Sequence, residues 1–186
     1  MSGKNHEVAT LGGGCFWCLE SVFEQLRGVV SVVSGYCGGH VAAPTYRMVC
    51  GGATGHAEVV QLVFDPLAIS YEQILEVFFA IHDPTSLNRQ GNDVGTQYRS
   101  VIFVHSDEQA EIAHLLIRRL VAEKLWNSPV VTEIRPEAPF FAAEDEHRKY
   151  FSKHPEQGYC QLVIAPKLAK FRRKFNSLVR TDVGVA

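Results

Sequence analysis

The stretch Val8-Ala9-Thr10-Leu11-Gly12-Gly13-Gly14-Cys15-Phe16-Trp17-Cys18 decides how the chain begins to fold. Residues 8–11 form a short apolar run stopped by three glycines, the pattern of a strand entering a tight turn. Beyond it Leu19, Val22, Phe23 and Leu26 recur at the spacing of one helix face, which predicts a helix over 17–26. Cys15 therefore stands at a strand-to-helix turn. Backbone N–H groups point outward there and the helix dipole is positive, and both favour a thiolate over a thiol of pKa about 8.5. The competing reading is a buried, inert cysteine. Phe16 and Trp17 are either plain core residues or the floor of an apolar pocket beside a reactive thiol.

Outward from this turn the elements alternate. Residues 29–36 are β-branched and read as a strand, followed by a glycine-rich connection over 38–55. A second Val-rich strand covers 58–64 and ends at Asp65-Pro66. The spacing of Ile74, Leu75, Phe78 and Ile81 predicts a helix over 71–81. A polar loop over 82–99 precedes a strand over 101–104, a long helix over 107–125 capped by Ser106, and a fifth strand over 130–134. The order β-α-β-β-α-β, then helix and strand, predicts an α+β fold: a split βαβ, ferredoxin-like two-layer plait with added helix and strand. A long C-terminal tail follows from about 136 to 186 and is expected to be extended. Its basic run 167–174 carries Leu168, Phe171 and Phe175 at helical spacing. A short helix lying on the body is the plainer reading of that run, with a polyanion-binding patch the alternative. The two long loops are the candidate functional segments.

The 186 residues suit one domain, 1–186. With 46% hydrophobic and 20% charged residues the chain can bury a core and carries too little charge for disorder. A net charge of -2 leaves no global basic field, so no nucleic-acid partner is expected. No apolar run approaches the roughly 18 residues of a membrane span. Residues 1–7 are polar and lack a signal-peptide core, so a cytoplasmic product off the membrane is expected. Five cysteines in a chain too long to be a disulfide scaffold ask for a catalytic, metal-binding or redox role. A zinc site would need two further ligands at matching spacing. Cys37 and Cys50 lie far apart, and His147 and His154 form no familiar pair, so no metal is expected. Cys15-x-x-Cys18 at a helix start also permits a general thiol–disulfide oxidoreductase of thioredoxin type.

Gly14-Cys15-Phe16-Trp17 resembles the opening of the peptide methionine sulfoxide reductase A family. The resemblance continues through Ser34-Gly35-Tyr36, Tyr46-Arg47, Thr54-Gly55-His56-Ala57-Glu58-Val59-Val60 and Phe64-Asp65-Pro66. Its most specific part is His82-Asp83-Pro84-Thr85-Ser86-Leu87-Asn88-Arg89-Gln90-Gly91, with Asp93 and Gly95-Thr96-Gln97-Tyr98-Arg99-Ser100 after it. Thr132-Glu133-Ile134, Ala143-Glu144-Asp145 and Gly158-Tyr159-Cys160 complete the match from about residue 8 to 160.

The resemblance implies reduction of the S epimer of methionine sulfoxide, free or in peptides, as repair of an oxidative lesion. Cys15 would attack the sulfoxide sulfur and keep the oxygen as a sulfenic acid. Glu58 matches the family's acidic residue, Tyr46 and Tyr98 its two phenols around the oxygen, and Asp93 a polar position that helps bind the sulfoxide. Phe16 and Trp17 would hold the S-methyl group. A carboxyl can donate a proton at neutral pH only if burial raises its pKa. Taken singly, Glu58 also reads as a solvated edge-strand carboxylate, and each Tyr as an ordinary core residue. His56 reads as a loop support through a hydrogen bond or as a general base, and Arg99 as a partner for a carboxylate. The family implies no metal or organic cofactor, an external dithiol reductant in thioredoxin, and a monomer is expected. Cys160 matches the family's resolving position. Cys18 departs from it, because many relatives carry Gly there, and opens a second route. Cys160 is the expected recipient of the first disulfide, with Cys18 taking it over or shuttling it outward. Cys37, often Ser in the family, is read as a free thiol without duty.

Overall fold

A computed structural model describes residues 5–181. The polar segment 1–7 and the domain limits 1–186 thus lie in part outside the described residues. The chain runs β1 (Glu7–Gly12), α1 (Phe16–Phe23), β2 (Val29–Cys37), α2 (Tyr46–Cys50), β3 (Ala57–Phe64), α3 (Tyr71–Ile81), β4 (Arg89–Gln90) and β5 (Asp93–Val94). It continues with β6 (Val101–Val104), α4 (Asp107–Ala122), β7 (Glu133–Pro136), β8 (Phe140–Ala142), α5 (Tyr150–Lys153) and α6 (Ala165–Lys174). Six strands form one mixed sheet in the order β7-β6-β1-β3-β2-β8, and β4-β5 form a separate hairpin. β3 pairs antiparallel with both β1 and β2, β6 pairs antiparallel with β1, and β7 lies parallel to β6. The fold is α+β.

Side-chain alternation in β3 sets the position of the site. Ala57 and Val59 join Cys37, Val101 and Phe103 in a small cluster, whereas Val60, Leu62 and Phe64 face the main core. The period of two puts Glu58 on the main-core side with Val60, under the start of α1. The helices are closed by the side chains expected of them. Ser70 and Gln73 form a capping box on α3, and Ser106 accepts the Gln109 N–H at the start of α4. α4 buries Gln109, Ala113, Leu116 and Leu120, packs Ile112 and Ile117 at the edge of the core, and turns its opposite face to water.

The elements α2 inside the glycine-rich connection, β4 and β5 inside the polar loop, β8 and α5 escape the sequence patterns. Boundaries also move. α1 spans Phe16–Phe23, α4 stops at Ala122, and the fifth predicted strand lies at Glu133–Pro136 because it registers on β6, Val101 opposite Glu133. The expected extended tail is a correction. β8 pairs with β2, and Cys160, Ile164, Leu168 and Phe171 are buried in the main core. Burial of these apolar side chains folds the segment back onto α1. α6 accordingly lies on the body with Leu168 and Phe171 inward, Lys167 half-buried, and Lys170, Arg172, Arg173 and Lys174 exposed. Among the described residues no helix is long and apolar enough to cross a membrane.

Candidate active site

Cys15 is the N-cap residue of α1, in extended conformation, and the Cys18 N–H donates to its carbonyl at 3.1 Å. The turn before it depends on Gly14, whose φ is +99°, where a Cβ would lie 2.6 Å from Gln90 Cγ. Gln90 is itself fixed, accepting from the Asp83 N–H at 2.9 Å and donating to the Asp83 carbonyl at 3.1 Å. Below the turn, buried His82 donates from Nδ1 to the Phe78 carbonyl at 2.6 Å and accepts the Ser100 hydroxyl at Nε2 at 2.8 Å. Burial lowers its pKa to about 4, so it is a neutral strut.

The expected acidic Cys15 is not what the structure holds. Its side chain is only 8% exposed, and burial pushes its pKa well above the ordinary value, helped by the Cys18 hydrogen bond and the Glu58 charge. Desolvation outweighs the helix start. Cys18 takes the opposite shift, to about 7, because the Cys15 hydrogen bond, the Lys167 charge and Tyr159 outweigh its burial. The first charge of the pair therefore settles on Cys18.

Glu58 is 1% exposed and accepts the Phe16 N–H at 3.0 Å. Burial raises its pKa to about 8, with Asp93 and Cys18 adding to the shift and the single N–H opposing it. Its carboxyl stays protonated at neutral pH. Burial also pushes the Tyr46 and Tyr98 phenols upward, so both remain neutral. Tyr46 opens α2, where its N–H donates to Glu144 Oε1 at 2.8 Å while the Tyr36 hydroxyl donates to Glu144 Oε2 at 2.9 Å. Glu144 thus ties α2 to β2. In the sequence Glu144 stands in the Ala143-Glu144-Asp145 match with no role that its local pattern reveals.

Phe16 lies within 6.3 Å, ring centre to centre, of Trp17 and Tyr46, 5.8 Å from Tyr36 and 5.5 Å from His147. Trp17 stacks on Tyr150 at 3.7 Å. These rings make an apolar lining beside Cys15 suited to a methyl group. Asp93, on the β4–β5 hairpin, accepts the Tyr159 hydroxyl at 2.7 Å, and that oxygen lies 3.9 Å from Cys18 Sγ. Tyr159 was missed as a site residue, and its only signal was its place beside Cys160 in a matched motif. Cys160 is fully buried, with Cys18 among the charges that raise its pKa after burial.

The remaining candidates are structural. His56 accepts the Gly39 N–H at 3.0 Å and donates to the Val41 carbonyl at 2.8 Å, which supports the loop. Arg99 donates to the Gly55 and Thr96 carbonyls and pairs with Glu133 at 3.6 Å. Buried Cys37 donates to the Ala138 carbonyl at 3.6 Å, and burial raises its pKa to about 11. Exposed Cys50 shares a hydrogen bond with Tyr46. Among the described residues no group of three His, Cys, Asp or Glu side chains is placed to hold a metal ion.

The sequence matches the family described as peptide methionine sulfoxide reductase over residues 7–179. Peptide methionine sulfoxide reductase MsrA of Polynucleobacter asymbioticus is 60% identical over 173 residues, 93% of this chain and 91% of that protein. Reduced Mxr1 of Saccharomyces cerevisiae is structurally similar, with TM-score 0.75 at 35% identity, covering 83% of this chain and 89% of that one. Mxr1 solved in complex with Trx2 gives a TM-score of 0.53 at 25% identity over 78% of this chain and 84% of that one.

Proposed function

The chain belongs to the peptide methionine sulfoxide reductase family, and we propose that it reduces the S epimer of methionine sulfoxide, free or peptide-bound, to methionine. It is an oxidoreductase. The observation that carries the reading is the carboxyl of Glu58, kept protonated by burial beside Cys15 and under the ring lining. Cys15 attacks the sulfoxide sulfur. The oxygen gains a proton from Glu58 and passes to the Cys15 sulfur. A new S–O bond forms there as the substrate's S–O bond and the transient S–S bond break. This leaves methionine and a Cys15 sulfenic acid while the thiol proton returns to Glu58. Neutral Tyr46 and Tyr98 donate to the oxygen as negative charge builds on it. Phe16 and Trp17 hold the methyl group, and Asp93 helps bind the sulfoxide.

Proximity supports a reading of the resolving thiol. Against the expected order, Cys160 before Cys18, two observations support Cys18 as the first to attack: Cys18 is hydrogen-bonded to Cys15 and has a pKa of about 7, whereas Cys160 is fully buried. Cys18 attacks the Cys15 sulfur, water leaves, and Cys160 then takes the disulfide from Cys18. The complex of Mxr1 with Trx2 supports a thioredoxin-type dithiol as the final reductant. The chemistry runs on cysteine and carboxyl groups and needs no prosthetic group. The sheet order β6-β1-β3-β2, with β1 and β2 flanking β3, supports reading the core as a split βαβ plait within one domain. Five free cysteines support a reducing, cytoplasmic setting, and we read the chain as a monomer acting off membranes and nucleic acid.

Incubation with each sulfoxide epimer and dithiothreitol, with insulin reduction measured in parallel, tests this. Methionine from the S epimer supports the proposal. Insulin reduction without methionine would identify a general disulfide oxidoreductase working through Cys15 and Cys18.

A further inference from the structure

The Tyr159 hydroxyl has one proton and three neighbours, Asp93, Cys18 and the Cys15 thiol. Asp93 Oδ2 is 2.7 Å away, Cys18 Sγ is 3.9 Å away, and a carboxylate can only accept. While Cys18 is a thiol the proton therefore goes to Asp93, which leaves the phenol oxygen as acceptor for the Cys18 S–H; once Cys18 ionises, the same hydroxyl donates to the thiolate, the bond that helps lower the Cys18 pKa. From this geometry we propose that Cys18, Tyr159 and Asp93 form a proton wire serving the resolving step. It rests on the reading of Cys18 as the first thiol to attack the sulfenic acid.

As Cys18 attacks the Cys15 sulfur, an S–S bond forms and the S–O bond breaks. Cys18 is oxidised and the sulfenic sulfur reduced. The departing hydroxide takes the Glu58 proton and leaves as water. The Cys18 proton passes to the Tyr159 oxygen while the Tyr159 proton passes to Asp93, so the phenol relays without standing ionised. Burial and the neighbouring thiols push its pKa far upward, as such a relay requires. Asp93 is half-buried on a surface hairpin and releases the proton to water, from which Glu58 is also recharged. The groups that face Cys18 are Cys15 at its own helix start, Glu58 from β3, Tyr159, Cys160 and Lys167 from the C-terminal segment, and Asp93 from the hairpin. Among these, Tyr159 touches both the thiol and the carboxylate. The wire also belongs to the segment that carries Cys160, the next thiol in the sequence of exchanges.

Rapid quench after one equivalent of S sulfoxide separates the two steps. Methionine release reads the first, and loss of dimedone-reactive sulfenic acid reads the second. Tyr159→Phe is expected to slow the second step by about 10²-fold, far more than the first, and to move its pH limb upward. Tyr159→His, whose imidazole can relay, is expected to recover part of that loss. An unslowed second step in Tyr159→Phe, or equal slowing of both steps with no recovery in Tyr159→His, overturns the wire. Peptide mapping of the quenched native enzyme separates the two layers: a first disulfide between Cys15 and Cys160 would remove the underlying reading of Cys18, whatever Tyr159→Phe does.

Discussion

Replacing Glu58 by Gln should make the protein more stable and less active at once. The carboxyl has a pKa of about 8 in the fold against 4.5 in an open chain. Folding thus holds it neutral, and the stability it contributes is fully present below 4.5 and is lost as pH rises toward 8. At pH 7 the gap from 4.5, at 1.36 kcal/mol per pH unit, amounts to about 3 kcal/mol, rising to about 5 kcal/mol above pH 8. Gln does not titrate, keeps the shape and accepts the Phe16 N–H through its carbonyl. Near pH 4 the two proteins should have similar stability. At neutral pH the urea midpoint of Glu58→Gln should be higher by about 1 to 2 M. The reductase step should fall by about 10²–10⁴, because the amide can donate a hydrogen bond but cannot deliver a proton. Urea titrations at several pH values and single-turnover methionine release check both halves. A stability difference that does not grow with pH, or a loss confined to substrate affinity, would refute the protonated-carboxyl argument.

Cys15→Ser should abolish methionine formation, since a hydroxyl is neither acidic nor soft enough to attack sulfur; substantial residual turnover in an epimer assay would contradict this. Gly14→Ala forces a side chain into φ +99° and against Gln90, so denaturant melts should show a loss of about 1–3 kcal/mol, with reduced turnover from a displaced Cys15. Glu144→Ala leaves the buried Tyr36 hydroxyl without its acceptor and frees the start of α2, which should lower stability by about 1–3 kcal/mol and kcat/KM by roughly tenfold as Tyr46 drifts. A Glu144→Ala protein with unchanged kinetics would show that Tyr46 is held by other contacts.

The strands and helices legible in the sequence are those with strong periodicity and side-chain caps. α3 spans the predicted 71–81, and Ser106 caps α4 as expected. What was not legible depends on contacts between distant residues. β8 exists because Phe140–Ala142 registers on β2, and α2 is pinned at its start by Glu144, about a hundred residues away. The last segment looked aperiodic because it packs Cys160, Ile164 and Phe171 into a core built by other elements. Glu58 was legible as a candidate acid, yet the alternation of β3 and the burial that hold it neutral needed the fold. The thiol reading failed for a related reason: a helix start argues for an acidic Cys15, and desolvation moves that acidity to Cys18. Tyr159 carried a signal only through its place in the Gly158-Tyr159-Cys160 motif, because its contacts to Asp93 and to Cys18 are encoded by no local pattern.

The central claim is that a buried thiol and a neutral Glu58 act together on one sulfoxide epimer. It is tested most directly by the pH dependence of methionine release in a rapid-quench burst without reductant, at limiting S epimer and, separately, R epimer. The account predicts methionine from the S epimer only, at a rate that is flat at neutral pH and falls as pH rises through about 8, where Glu58 loses its proton. A rate that climbs through pH 8 as simple thiolate chemistry would, or equal release from the R epimer, would contradict it.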